Sequence, residues 1–286
     1  MELRILEVGP RDGLQNEEKI LSHDKKYELV SKLIQSGLKH IEAAAFVNPK
    51  AIPQMAGSAE LSRALVKDFP TVNFYSLVPN LQGLEAAMES GIKNIGLLSS
   101  CCELFAQKNL NTSIDGSLKR IAEIIENCPP DCFSRLYLSM SFHSPFSGSI
   151  SNETYNNIME KVADTGINEI VISDTTGKAT ADKVNNRIFL SQKFFGTQRI
   201  ACHFHDTFGN AMANIKEALR LRINKFDSSI AGLGGCPYSP GAKGNVSTNT
   251  LVDFCIENNI STGIIPDKLN EAADFIRGLI SNEEKS

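Results

Sequence analysis

Glu169-Ile170-Val171-Ile172-Ser173 is a short apolar run, Ala181–Phe194 is a longer amphipathic segment, and Arg199-Ile200-Ala201-Cys202-His203-Phe204-His205 is again a short apolar run. The first and third segments predict strands and the second a helix. Strict alternation of this kind implies neighbouring parallel strands joined by right-handed crossovers. The same rhythm continues outward in both directions. Toward the N-terminus, strands are expected at Leu3–Val8, His40–Val47, Val72–Val78, Asn94–Ser99 and Ser134–Phe142. The intervening helices fall at Asp24–Gln35, Leu61–Lys67, Leu81–Ser90, Ser117–Glu126 and Asn152–Thr165. Toward the C-terminus, a helix at Ala211–Leu221 leads to a last strand at Lys225–Ala231, followed by Val246–Glu257 and an extra helix at Lys268–Ile280. Eight strands, each followed by a helix and with no nucleotide-binding fingerprint, favour an α/β fold of the closed (β/α)₈ (TIM) barrel type over a doubly wound sheet.

No linker or low-complexity segment interrupts residues 1–286, so a single barrel domain is expected. The chain is 42% hydrophobic and 22% charged, with a formal net charge of −4. That balance argues against nucleic acid or an anionic membrane as the main partner. No apolar stretch is long enough to span a bilayer. Seven scattered cysteines, an odd number with no C-x-x-C pair, read as reduced thiols in the cytoplasm rather than a disulfide framework.

Barrels of this class carry their chemistry at the C-terminal ends of the strands. Those ends supply Arg11-Asp12, Glu42, Ser99-Ser100, Ser141 to His143, Asp174, His203 to His205 and the loop Gly232–Asn245. His203 and His205 lie two residues apart on one strand and therefore share a face, so both imidazoles can point at one ion. Taken alone, the pair also reads as two surface histidines. Asp206 either caps the next helix or orients an imidazole. Asp12, which alone reads as a turn aspartate ahead of Gly13, offers a carboxylate ligand. Asn245, otherwise a helix cap, offers an amide oxygen. Two imidazoles, a carboxylate, an amide and water suit Mg²⁺ or Mn²⁺ better than a thiolate-rich zinc site. Arg11 is a cation placed to stabilise an enolate oxygen, and Glu42 can hold it. The glycine-rich loop reads either as a phosphate cradle or as a lid that brings Cys236 over a bound substrate. Cys101-Cys102, at a strand end, is the weaker candidate for a reactive thiol.

The stretches Val8-Gly9-Pro10-Arg11-Asp12-Gly13-Leu14-Gln15-Asn16-Glu17 and Gly232-Leu233-Gly234-Gly235-Cys236-Pro237-Tyr238 resemble the two signatures of 3-hydroxy-3-methylglutaryl-CoA lyases. Phe46-Val47 with Pro49-Lys50, Pro53-Gln54-Met55, Pro79-Asn80-Leu81 and Cys202 to Gly209 extend the resemblance nearly end to end. It implies cleavage of 3-hydroxy-3-methylglutaryl-CoA, an acyl-CoA thioester, to acetyl-CoA and acetoacetate. By the same resemblance Asp12, His203, His205 and Asn245 hold a divalent metal. Arg11 stabilises the thioester enolate with support from Glu42, Cys236 protonates it, and Asp174 or His203 is the base. A homodimer is a further implication, and the extra C-terminal helix can pack either on the barrel or on a second subunit.

The sequence departs from the family pattern at Glu18, at Ala43-Ala44-Ala45, at Phe142 to Phe146, at Asn249 and at Asn282-Glu283. The expectation is weak lyase activity on this substrate or preference for a related 3-hydroxyacyl thioester. A metal-dependent aldolase or Claisen-type enzyme acting on a 2-keto acid is the nearest alternative. A non-catalytic barrel that binds metal or acyl-CoA is the second.

Overall fold

A computed structural model describes residues 2–234 and 244–281. Eight parallel strands close into a barrel: β1 (Arg4–Glu7), β2 (His40–Ala45), β3 (Asn73–Leu77), β4 (Asn94–Ser100), β5 (Phe133–Ser139), β6 (Glu169–Asp174), β7 (Ile200–Phe204) and β8 (Lys225–Ser228). Neighbours in the ring follow chain order. The barrel closes where Arg4 to Glu7 of β1 pair with Lys225 to Ser228 of β8.

Around the barrel lie α1 (His23–Gln35), α2 (Ser58–Asp68), α3 (Leu81–Glu89), α4 (Ile114–Glu126), α5 (Asn152–Ala163), α6 (Ala181–Phe195), α7 (Ala211–Arg220) and α8 (Thr248–Glu257). Side-chain caps explain several starts: Ser22, Ser113 and Ser151 each accept a backbone N–H from the first turn of their helix. The extra helix, α9 (Pro266–Ile280), packs on the barrel's own α1 and buries Leu269, Ala272, Ala273 and Ile276. Gly37, after α1, has φ +98, and a Cβ there would stand 2.3 Å from the Gly263 carbonyl oxygen. Only glycine admits that crossing of the two chain segments.

Alternation along each strand divides the core in two. Ile5, Ile41, Phe74, Ile95, Leu136, Ile170, Ile200 and Phe226 meet Leu29, Leu33, Leu65, Leu118 and Ile188 from the helices. The inner face holds smaller clusters, which include Val8, Tyr75, Tyr137, Val171 and Ala201. It also holds Arg135, which pairs with Asp227 at 2.8 Å and with Glu169 at 3.4 Å. Arg135 and both carboxylates are almost fully buried, so each charge depends on its partners.

Three local features differ from the sequence reading. The first strand ends at Glu7, with the Val8 N–H still donating to the Ser228 carbonyl (2.9 Å), and Gly9–Gly13, with Pro10 in its first turn, forms a helical turn. A short helix at Glu103–Phe105 runs on into a turn at Ala106–Leu110 after β4. A two-residue antiparallel ribbon, His143–Ser144 with Gly148–Ser149, follows β5, which ends at Ser139 rather than Phe142.

Candidate metal centre

The turn Gly9–Gly13 carries Arg11 and Asp12 over the C-terminal mouth of the barrel. Behind it, buried Glu7 accepts the N–H of Gly9 (2.7 Å), the N–H of Ile230 (2.8 Å) and the hydroxyl of Thr248 (2.6 Å). One carboxylate thus ties the first turn, the root of the glycine-rich loop and the eighth helix together. No sequence pattern singled Glu7 out.

His203 lies in β7 and His205 immediately follows it, with ring centroids 5.3 Å apart. One ligand atom from each of Asp12, His203 and His205 lies within 4.8 Å of the others. This is a potential metal site, built from the predicted carboxylate and imidazoles. Asn245 joins them by a different route from the expected one. The helix begins only at Thr248, and Asn245 instead forms an antiparallel bridge with His205. Its Nδ2 donates to Asp12 Oδ2 (2.8 Å) and to the Leu233 carbonyl (3.0 Å), which leaves Oδ1 buried with no donor. His205 Nδ1 is likewise buried and unpartnered. An unmatched buried polar atom costs about 1–3 kcal/mol, and a hard cation at this point suits the amide oxygen and imidazole donors. The residues present therefore fit a divalent metal.

The charges suit ligation. Burial opposes ionisation of Asp12, but Arg11 and His203 outweigh it and hold the carboxyl down at about 2. Burial and the neighbouring His203 push His205 down to about 4, so its imidazole is a neutral ligand near neutrality. Burial works against a proton on His203, yet the hydrogen bond and charge of Asp227 raise it. His203 Nδ1 donates to Asp227 at 3.3 Å, which turns Nε2 toward the site.

Arg11 is almost fully buried. Its Nε donates to Glu42 (2.6 Å), Nη2 stands 2.5 Å from the same carboxylate oxygen, and Nη1 donates to Asp12 (2.8 Å). Burial disfavours the cation, but Glu42 and Asp12 keep it firmly charged. The Tyr137 hydroxyl donates to the other oxygen of Glu42 at 3.0 Å. A register shift in β2 between Glu42 and Ala44 lets Ala45 face inward as well. Tyr137, Arg135 and Asp227 escaped the sequence reading. Their signal was available: a charge inside a strand, as in Ser134-Arg135-Leu136 and Phe226-Asp227-Ser228, needs a partner in the barrel interior.

Asp174 is placed differently from the others. Its oxygens accept the N–H groups of Lys178 (3.1 Å) and Ala179 (2.9 Å), so it folds the loop after β6. Burial pushes its carboxyl up to about 6. The central cavity, of about 180 Å³, is bordered by its neighbours Ser173 and Thr175 and not by Asp174. Asp206 accepts the Ala211 N–H at 3.1 Å, the capping alternative. Cys101 is buried in the core, which pushes its thiol up to about 12. Cys102 accepts the Ser144 hydroxyl at 3.0 Å. Neither borders the cavity. Asn249 links the Ala231 N–H to Asn270 of α9.

Cys236 and Glu283 lie outside the described residues. Gly234, at the loop root, does border the cavity. With φ +99, a Cβ there would meet Asn245 Nδ2 at 2.5 Å and the Asp12 carbonyl oxygen at 3.4 Å.

The HMGL-like family model matches residues 2–276. The chain is 40% identical to the mitochondrial hydroxymethylglutaryl-CoA lyase of Bos taurus over 96% of its length and 85% of that protein's. It is similar to a crystal structure of hydroxymethylglutaryl-CoA lyase from Pseudomonas aeruginosa, with TM-score 0.94 and 38% identity over 100% of this chain and 95% of that one. It is also similar to an HMG-CoA lyase from Acinetobacter baumannii in complex with coenzyme A and 3-methylmalate, with TM-score 0.92 and 31% identity over 100% and 93% of the two chains.

Proposed function

The chain belongs to the HMGL-like family and is a carbon–carbon lyase of the hydroxymethylglutaryl-CoA type. From that premise we propose that it cleaves 3-hydroxy-3-methylglutaryl-CoA, or a close 3-hydroxyacyl thioester, at the mouth of the barrel with Mg²⁺ or Mn²⁺ bound. The observation that carries this reading is the convergence of Asp12, His203 and His205 within 4.8 Å, with Asn245 Oδ1 buried and unmatched beside them.

Asp12, His203, His205 and Asn245 would hold the ion. When bound, the ion supplies Lewis-acid charge that makes a substrate hydroxyl easier to deprotonate. In the reaction the 3-hydroxyl loses its proton and its oxygen becomes the ketone of acetoacetate. The C2–C3 bond breaks, and its electron pair forms the enolate of acetyl-CoA, which takes up one proton at C2. Arg11 faces the cavity and stabilises the enolate oxygen as charge develops. Glu42 and Tyr137 fix Arg11, so no side-chain reorganisation accompanies that step. Asp227 orients His203 by accepting from Nδ1; with Nε2 toward the ion, both ring nitrogens would be engaged, so His203 serves as a ligand rather than as the base. Cys236 delivers the proton to the enolate carbon. Acetyl-CoA and acetoacetate formation from hydroxymethylglutaryl-CoA, dependent on added Mg²⁺ or Mn²⁺ and abolished by a chelator, is the expected result. Turnover that survives complete chelation would overturn the metal-dependent reading.

A further inference from the structure

The loop that leads from α4 into β5 reads Cys128-Pro129-Pro130-Asp131-Cys132. Its backbone is held at both ends. The Cys128 N–H donates to the Ile125 carbonyl (3.2 Å), and the Cys132 N–H donates to the Pro129 carbonyl (3.0 Å), which closes a turn over the two prolines. Each proline fixes its own φ, so the turn is set before any covalent bond joins its ends. The two thiols meet across that turn in a hydrogen bond. Both cysteines are half-buried, with Pro129, Pro130 and Asp131 exposed between them, whereas Cys101, Cys102, Cys202 and Cys255 are buried. We propose that Cys128 and Cys132 form a thiol–disulfide exchange site, at which the pair closes to an intramolecular disulfide by reducing a low-molecular-weight disulfide.

The asymmetry of the pair sets the order of steps. The hydrogen bond donated by the Cys132 thiol holds Cys128 below its ordinary range, against burial. The same bond, burial and the charge of Asp131 push Cys132 up. The thiolate is the attacking form, so Cys128 attacks one sulfur of the small disulfide and expels the other as a thiolate. Cys132 then gives up its proton, attacks the Cys128 sulfur and expels the second small thiolate. Two protein thiols lose two electrons and two protons, and one small disulfide becomes two thiols. Metal ligation is the other use of paired thiols, but a closed zinc site takes four ligands. Among the described residues, no histidine, cysteine or carboxylate completes a three-ligand cluster with this pair. The site lies at the N-terminal end of β5, about 20 Å of strand from Ser139 at the metal-centre cavity. It is therefore independent of the lyase reading.

The test uses the intact, folded protein. It is incubated with oxidised glutathione, quenched by alkylation and cleaved with trypsin, which releases Ile121–Arg135 with both cysteines. Mass spectrometry should show this peptide unalkylated and two hydrogens lighter, with no glutathione attached, and a dithiol reductant should restore alkylation at both positions. Cys132→Ser keeps a hydroxyl donor beside Cys128 and should halt at a mixed disulfide of Cys128 with glutathione. In Cys128→Ser, Cys132 should take up glutathione at least about tenfold more slowly. Two alkylated thiols in the unmodified chain, or glutathione retained on either of them, overturns the exchange site. Equal rates in the two variants overturn Cys128 as the attacking thiol. Closure as fast in concentrated urea as in the folded protein would show that the fold does not bring the pair together, and sinks the proposal as well.

Discussion

The carboxylate of Asp227 accepts His203 Nδ1 at 3.3 Å, and its other oxygen takes the Arg135 guanidinium at 2.8 Å. One buried anion on β8 therefore orients a metal-facing imidazole on β7 and is itself anchored by a cation on β5. A second branch leaves Arg135 through the Tyr137 hydroxyl (3.4 Å) to Glu42 (3.0 Å) and on to Arg11. The candidate ligand His203 and the candidate enolate-binding cation Arg11 are thus set from the same point in the barrel.

Asp227→Asn keeps the shape but removes the anion that aligns His203. Metal affinity is expected to fall about 10- to 100-fold, read by titration of the purified protein with Mn²⁺. Unchanged affinity would show that the imidazole is positioned by other contacts.

Arg11→Lys keeps the charge but loses the forked contact to Glu42 and Asp12, since an ammonium cannot reproduce that planar geometry. The expected loss in kcat is about 10²- to 10³-fold, with Mn²⁺ affinity within a few-fold of the original. A comparable loss in metal affinity would assign Arg11 to holding Asp12 instead.

Cys236→Ala removes the proposed proton donor two residues beyond Gly234. Turnover should fall about 10²- to 10⁴-fold while metal binding stays intact. Retention of full turnover would remove Cys236 from the mechanism.

Gly234→Ala places a Cβ 2.5 Å from Asn245 Nδ2 in a backbone conformation, φ +99, that side-chain-bearing residues rarely adopt. Both strain and displacement of Asn245 are expected, at a cost of about 1–3 kcal/mol. Metal affinity and turnover should fall together, unlike the split expected for Cys236→Ala.

Burial pushes the Glu7 carboxyl from its ordinary 4.5 up to about 7, against the opposing bonds from Thr248, Ile230 and Gly9. The folded chain holds a proton there that the unfolded chain releases. The stability from this group is complete below about pH 4.5 and is lost as pH rises through 7, on the order of 3 kcal/mol in all. Glu7→Gln mimics the protonated form, so its stability should decline less between about pH 5 and pH 8. Urea unfolding of both proteins across that range provides the check; parallel declines would show that Glu7 is ionised throughout.

The order of strands and helices was legible from the sequence because hydrophobic period and glycine and proline breaks act over a few residues. The same local rules brought out Asp12, His203 and His205: strand parity puts the two imidazoles on one face, and barrel chirality puts strand ends on one rim. The closed ring decided the rest. Asp227 meets His203 and Arg135 only because β8 pairs with β7 in one particular register and lies across the barrel from β5. Asn245 reaches Asp12 because its segment runs back beside His205 before the eighth helix starts. Asp174 is turned away from the cavity by N–H groups of its own loop. Sequence alone therefore determined which residue types arrive at the mouth of the barrel. Tertiary structure decided which of them face one another, since a buried charge settles wherever the closed fold supplies its partner.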